Sequence, residues 1–255
     1  MENIEKCELW QGDCLELMKE IPDKSVDMIL CDLPYGKITN IPKNGKWDIV
    51  IPFDKLWKQY QRIIKDNGAI VLFGNEPFSS ELRLSCRELY RYDIEWDKLE
   101  GGSPFLANIQ PLRQYEDIMI FYKKQCCYNP IKEKRDKPIK VGSLKKSNYQ
   151  KDESKLQELK NKSYEYKNPT NIIKFRKIKN GALHPTQKPV ALLEYLIKTY
   201  TNENDVVLDN CMGSGSTGIA CINTNRQFIG IELDEGYFNI AKQRIDEAIK
   251  GGANG

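Results

Sequence analysis

Short apolar runs alternate with helical spacing over the first half of the chain. Val26–Cys31, Ala69–Phe73 and Ile118–Tyr122 each read as a buried strand ending at a loop. Between them, Leu56, Tyr60, Ile63 and Ile64, and then Leu82, Cys86 and Leu89, recur at the intervals of an amphipathic helix face. Asp66-Asn67-Gly68 predicts a helix stop and a turn feeding the strand at Ala69. Alternation of this kind predicts βαβ units and a parallel sheet.

After Tyr122 the pattern dissolves. Residues 123–179 are rich in Lys, Asn, Ser and Tyr, with few aliphatics and little periodicity. Order then resumes with a helix over Val190–Tyr200, whose Leu192, Leu193, Leu196, Ile197 and Tyr200 share one face. Val206–Leu208 reads as a short strand, Thr217–Cys221 as the opening of a helix, and Phe228–Ile231 as another strand. Tyr237, Ile240, Ala241, Ile245, Ala248 and Ile249 make a last amphipathic helix. No internal repeat is present. The expectation is one doubly wound α/β domain, formed by residues 1–122 and 181–255 and interrupted by an insertion at 123–180.

Composition narrows the class. A chain of 255 residues can bury one large α/β core, and its 40% apolar and 29% charged residues are ordinary for a globular protein. Met1–Asp13 lacks the basic and apolar regions of a signal peptide, and no run reaches the roughly 18 apolar residues of a membrane span, so a cytoplasmic protein without a membrane partner is expected. Eight cysteines without a C-x-x-C pair, and a single histidine, predict reduced thiols and no metal site. The charge is uneven. Residues 123–179 hold eighteen Lys/Arg against six Asp/Glu, a local +12 that leaves −9 on the remainder of a chain of net +3. That asymmetry fits either a basic partner-binding element or a solvated lysine-rich loop.

Two constellations carry chemistry. In the first, the strand Val207-Leu208-Asp209 runs into Asn210-Cys211-Met212-Gly213-Ser214-Gly215-Ser216-Thr217-Gly218 and a helix. Glycines there let backbone approach a ligand at a helix N-terminus, and Glu232, after the next strand, can hold ribose hydroxyls. Ile219 stands where a P-loop needs lysine. The pattern fits an adenosine-containing cofactor, a dinucleotide among them, or a purely structural glycine turn. The second constellation is Asp32-Leu33-Pro34-Tyr35, directly after the strand at Val26. An amino group on an aromatic ring is a poor nucleophile because its lone pair is delocalised. Asp32 and the Leu33 carbonyl can each accept one N–H and free that lone pair, while Tyr35 offers a flat face to an extruded base. The same tetrapeptide also suits a plain strand-ending turn.

Asp32-Leu33-Pro34-Tyr35 resembles the D-P-P-Y motif of amino-methyltransferases, and Asp209-x-x-x-Gly213-x-Gly215 resembles their S-adenosylmethionine loop. His184-Pro185-Thr186-Gln187-Lys188-Pro189 is similar to the segment of these enzymes that grips the methionine end of the cofactor. The order, catalytic motif first and cofactor loop last, matches the circularly permuted β-class of DNA adenine and cytosine-N4 methyltransferases. The resemblance covers nearly the whole chain.

It implies a Rossmann-like S-adenosylmethionine-dependent methyltransferase fold with a basic target-recognition insertion, the catalytic half at 1–122 and the cofactor half at 181–255. It implies catalytic roles for Asp32, Leu33, Pro34 and Tyr35. It implies cofactor contacts from Asp13 and Cys14, from Thr186, Gln187 and Lys188, from Asp209, Asn210, Gly213, Gly215, Ser216 and Thr217, and from Glu232 as the ribose-binding acid. Lys188 suits the cofactor carboxylate, and His184 is positional.

The sequence departs from the family at Leu33, where proline is usual, and at Asn210-Cys211, where Pro-Phe is commoner. The expected partner is double-stranded DNA, read by residues 123–179, or from nearer Gly101, with Tyr128, Tyr149, Tyr164 and Tyr166 among the lysines. The loop Lys37–Lys46 is the alternative reader. A second copy of the chain and a cognate restriction enzyme are further partners the family admits. Asp at position 32 points to adenine N6, since serine is common there in cytosine-N4 enzymes. RNA or protein amino-methylation, a catalytically dead DNA-binding relative and a nicotinamide-dependent oxidoreductase are the rival readings, the last leaving Asp32–Tyr35 and His184–Pro189 without a role. Cytosine-C5 methylation needs a nucleophilic cysteine, usually after proline, and the chain has no Pro-Cys pair.

Overall fold

A computed structural model of the chain describes residues 7–36, 48–102, 104–140, 163–178, 181 and 183–252. In chain order the strands are β1 (Cys7–Gln11), β2 (Val26–Cys31), β3 (Ile64–Gly74), β4 (Tyr90–Asp97) and β5 (Tyr115–Phe121). They continue as β6 (Glu133–Lys140), β7 (Ser163–Lys167), β8 (Ile172–Lys174), β9 (Val206–Asp209) and β10 (Gln227–Glu232). The α-helices are α1 (Cys14–Leu17), α2 (Phe53–Ile63), α3 (Phe78–Ser85), α4 (Val190–Tyr200), α5 (Ser216–Asn223) and α6 (Glu235–Gly252). The chain forms two compact units, residues 1–129 with 171–255, and residues 130–170.

The first unit is built on an eight-stranded sheet in the order β1-β10-β9-β2-β3-β5-β4-β8. From β1 to β3 all neighbours are parallel, whereas β5 runs antiparallel to both β3 and β4. The central strand shows why the sequence makes a doubly covered sheet. Along β2, Met28 and Leu30 join one buried cluster with Leu192 and Leu196 of α4, while Ile29 and Cys31 join the other with Leu56, Tyr60 and Ile63 of α2. Successive side chains point to opposite faces, so a strand covered on both sides must be apolar throughout. No helix among the described residues is long and apolar enough to cross a membrane.

Three local readings shift. The helical face expected to include Ile64 ends at Ile63, and β3 starts at once. Asp66-Asn67-Gly68 therefore lies inside β3, where the pairing with β2 slips between Val26 and Met28. Gly68 is needed at this irregularity, since a Cβ would stand 2.8 Å from the Asp27 carbonyl. Helix α3 stops at Ser85, before Cys86 and Leu89. Strand β4 is additional, and its Tyr-x-Tyr-x-Ile-x-Trp alternation from Tyr90 to Trp96 buries Ile94 and Trp96.

The ends of the basic segment pack with the first unit. Cys126 is buried, the Asn129 amide donates to the carbonyls of Lys198 and Thr201 at 3.2 and 3.0 Å, and β8 pairs with β4. The second unit contains the antiparallel pair β6–β7, which exposes Tyr164 and Tyr166 beside Arg135 and Lys167. Arg135 Nε donates to the Tyr166 carbonyl at 3.3 Å, and Lys167 pairs with Glu133 at 2.5 Å. Residues 141–162, including Tyr149, and the loop at 37–46 lie outside the described residues.

Candidate active site

The carboxyl ends of β2, β9 and β10 converge on one cavity of about 700 Å³, within the roughly 300–1,000 Å³ usual for small-molecule and cofactor pockets. Parallel strands place their following loops at one edge, so residues far apart in sequence meet there. Asp13, Cys14, Asp32, Leu33, Pro34, Tyr35, Thr186, Gln187, Lys188, Asp209, Asn210, Gly213, Ser216, Thr217 and Glu232 all line it. Gly215 does not. With φ +80 it shapes the turn before α5, and a Cβ there would press on Ala241 at 3.0 Å.

The glycine loop is held from below by carboxylates. Asp209 accepts from Thr217 Oγ1 at 2.6 Å and from the Cys211 N–H at 3.1 Å; burial still pushes its carboxyl up to about 6. Glu232 accepts from the main-chain N–H groups of Gly213 and Asp234, each at 2.8 Å, and burial raises its pKa. Gly213, at φ +50, leaves open the space beside the His184 ring, which a Cβ would approach to 3.4 Å. The His184 imidazole stacks edge-on against Tyr237 at 4.3 Å and takes the Thr186 N–H on Nδ1 at 3.2 Å. Burial, with Lys188 nearby, lowers its pKa to about 4, so it stays neutral. Asn210 accepts from Tyr60 OH at 2.5 Å, and its amide donates to the Cys211 sulfur at 3.5 Å. Asp13 caps α1, accepting from the N–H groups of Leu15 and Glu16, and Gln187 accepts from the Leu183 N–H at 2.8 Å.

Charge concentrates at the other end of the cavity. Asp32 accepts from Tyr35 OH on Oδ1 at 2.6 Å and meets Lys188 Nζ on Oδ2 at 2.7 Å. Lys188 also pairs with Glu116 at 2.9 Å, and its side chain is only 9% exposed. Glu116 in turn accepts from Tyr35 OH at 3.1 Å and pairs with Lys98 at 2.6 Å. The result is a lattice of two carboxylates, two ammonium groups and a phenol, buried at Glu116 and Lys188 and half-buried at Asp32, Tyr35 and Lys98.

Burial raises Asp32, an effect that Lys188 opposes and the like charge of Glu116 reinforces. Burial would raise Glu116 as well, but Lys188 and Lys98 together hold it well below the usual carboxylate range. Burial would lower Lys188; its two carboxylates outweigh that and keep it charged. The Tyr35 ring rests on Phe78 at 4.8 Å. Lys188 was expected to face a cofactor carboxylate; its ammonium is engaged by Asp32 and Glu116 of the chain itself. Glu116 and Lys98 carried no sequence motif, although two carboxylates opening an apolar strand, Glu116-Asp117 before Ile118, are a signal in themselves.

A mixed sheet with one antiparallel strand near its edge, a glycine loop after β9 and an acid ending β10 define the class: an α/β S-adenosylmethionine-dependent methyltransferase fold with permuted motif order. The DNA methylase (N6_N4_Mtase) family model matches residues 26–243, so the chain belongs to that family. It is an S-adenosylmethionine-dependent DNA methyltransferase. Among curated relatives, the DNA adenine methyltransferase YhdJ of Escherichia coli is 30% identical over 93% of this chain and 82% of its own length. The Type II methyltransferase M.HpaI of Haemophilus parainfluenzae is 27% identical over 94% of this chain and 74% of its own. The crystal structure of an M1.HpyAVI–SAM complex superposes with a TM-score of 0.63 at 26% identity, covering 94% of this chain and 99% of that one. The cytosine-N4-specific PvuII DNA methyltransferase, at 16% identity and a TM-score of 0.64 over 98% of this chain and 93% of its own, shares the fold.

Proposed function

We propose that the chain transfers a methyl group from S-adenosylmethionine to N6 of adenine in double-stranded DNA. The observation that carries this reading is the meeting of Asp32–Tyr35 with the Gly213 loop and Glu232 on one cavity wall. The donor set fits the cofactor: Glu232 offers a carboxylate to ribose hydroxyls, and Gly213 leaves the loop without a side chain beside His184. S-adenosylmethionine supplies a methyl group on a sulfonium, transferred by direct displacement. Asp32 and the Leu33 carbonyl accept the two N–H bonds of the target amine and free its lone pair, while Tyr35, braced by Phe78, flanks the base. Lys188 and Tyr35 orient Asp32 and favour its ionised form; the proton that the methylated nitrogen sheds passes to the Asp32 carboxylate or to solvent, with no relay through His184.

Asp rather than Ser at position 32 supports adenine, as does the 30% identity to an enzyme named as an adenine methyltransferase. Cytosine N4 is the second reading, because the family spans both amines. Similarity to several Type II methyltransferases supports a modification role beside a restriction enzyme. The second unit, with Tyr164 and Tyr166 among basic residues, serves as the DNA-recognition element. The test is Asp32→Ala: transfer of labelled methyl groups to unmethylated genomic DNA should be lost while calorimetry still shows cofactor binding. Turnover near the wild-type rate would refute the assignment of Asp32.

A further inference from the structure

The hairpin that joins β4 to β5 carries Trp96, Lys98 and Glu116 into the cavity wall at its base. At its far end it is unusually apolar for a free surface. Phe105 is 94% and Ile109 77% exposed, with Leu106 and Leu112 partly exposed beside them along the chain, and Leu99 and Tyr115 partly exposed nearer the base. Single exposed apolar side chains are common, but a contiguous set marks an interaction site.

The tip is hydrogen-bonded rather than loose. The Gly102 N–H donates to the Arg113 carbonyl at 2.9 Å, the Ile109 N–H to the Leu106 carbonyl at 2.9 Å, and the Gln110 N–H to the same carbonyl at 3.0 Å. A Cβ on Gly101 would lie 2.7 Å from Leu112, so the two flanks pack closely. Cations lie beside the base of the hairpin: Lys174 stands opposite Asp97 in the β4–β8 register, Lys177 lines the cavity, exposed Arg113 donates to the Asn75 side chain at 3.1 Å, and exposed Arg176 pairs with Glu100 at 3.2 Å.

We propose that this turn, with Phe105 foremost, is an apolar wedge that enters the base stack of duplex DNA and occupies the place vacated by the target base. The inference rests on the DNA methyltransferase reading. Chemistry on a base inside a duplex requires its extrusion, and proteins that distort the stack insert Phe, Leu or Ile between base steps. Phosphates on either side of the vacated step would meet the flanking cations. A second copy of the chain is the poorer occupant, because a symmetric contact would set those same cations against one another.

The test uses the full chain and a synthetic duplex bearing the site that the wild-type protein methylates in genomic DNA. Turnover is measured with the target base paired, and again with it opposite an abasic site, where extrusion costs less. Phe105→Ala should lose at least about tenfold on the paired duplex and return to within about twofold of wild type on the abasic one. Phe105→Leu should keep most of the paired activity, and Ile109→Ala should lose less than Phe105→Ala. Equal losses on both duplexes, wild-type rates on both, or a halving of molecular size in Phe105→Ala would overturn the wedge. A wild type that methylates neither duplex would remove the functional reading and the wedge with it.

Discussion

Replacing Lys188 by methionine leaves the buried Glu116 and the half-buried Asp32 without the ammonium that bridges them at 2.9 and 2.7 Å. Removing one partner of a buried pair costs about 3–5 kcal/mol, which at about 2–4 °C per kcal/mol lowers Tm by roughly 6–20 °C for a chain of this size. The catalytic consequence has a definite sign. Asp32 is a much stronger acceptor of the amine N–H as a carboxylate than as the neutral acid, so its titration sets the acid limb of the rate profile. The Lys188 ammonium, 2.7 Å from Asp32, is the main influence that lowers the carboxyl's pKa against burial and the like charge of Glu116, so its loss should move the acid limb to higher pH.

Glu116→Gln makes the opposite prediction. It removes a like charge that pushes Asp32 upward, so the acid limb should move to lower pH. The assay is initial-rate methyl transfer from labelled S-adenosylmethionine at saturating DNA, across a pH series from mildly acidic to mildly alkaline, with thermal melting of the same preparations. Shifts of the same sign in both variants, or no shift in either, would refute the claim that this lattice controls the ionisation of Asp32.

Two further outcomes follow from the site and the units. Glu232→Ala removes the acid at the end of β10 and should weaken cofactor binding at least tenfold by calorimetry, while EDTA leaves wild-type binding unchanged; an unaltered affinity in the variant would remove the ribose assignment. Replacing residues 130–170 by a short Gly/Ser linker should abolish site-specific methylation and preserve cofactor binding, and the salt dependence of DNA affinity should flatten by about 0.9 in log–log slope for each phosphate that the protein no longer neutralises. Retained specificity would move recognition elsewhere, with the Lys37–Lys46 loop the next candidate.

Much of this was legible in the sequence because it is local. A strand followed by Asp-Leu-Pro-Tyr, and another followed by a glycine turn, are continuous segments that can be picked out as candidate sites from their own residues, and their order along the chain carries the family resemblance. Periodicity likewise predicted β2, β9, β10, α4 and the closing helix α6. Non-local partnership was not legible. Glu116 and Lys98 lie on and beside neighbouring strands far from Asp32 in sequence, and only the β3-β5-β4 pairing brings them to Tyr35 and Lys188. Composition misjudged the ends of the basic segment for the same reason, since Ile172–Lys174 pairs with β4, a strand that precedes the whole segment. The alternation in β4 was present from the start, but its charged outward positions mask a strand buried on one face only.

The central claim is the identity of the methylated atom, and nucleoside mass spectrometry tests it most directly. Unmethylated genomic DNA is incubated with the protein and S-adenosylmethionine, digested to nucleosides, and compared with DNA treated with Asp32→Ala. N6-methyladenine should accumulate in the wild-type sample alone. N4-methylcytosine in its place would contradict the assignment to adenine, and no methylated base of either kind would contradict the proposed activity altogether.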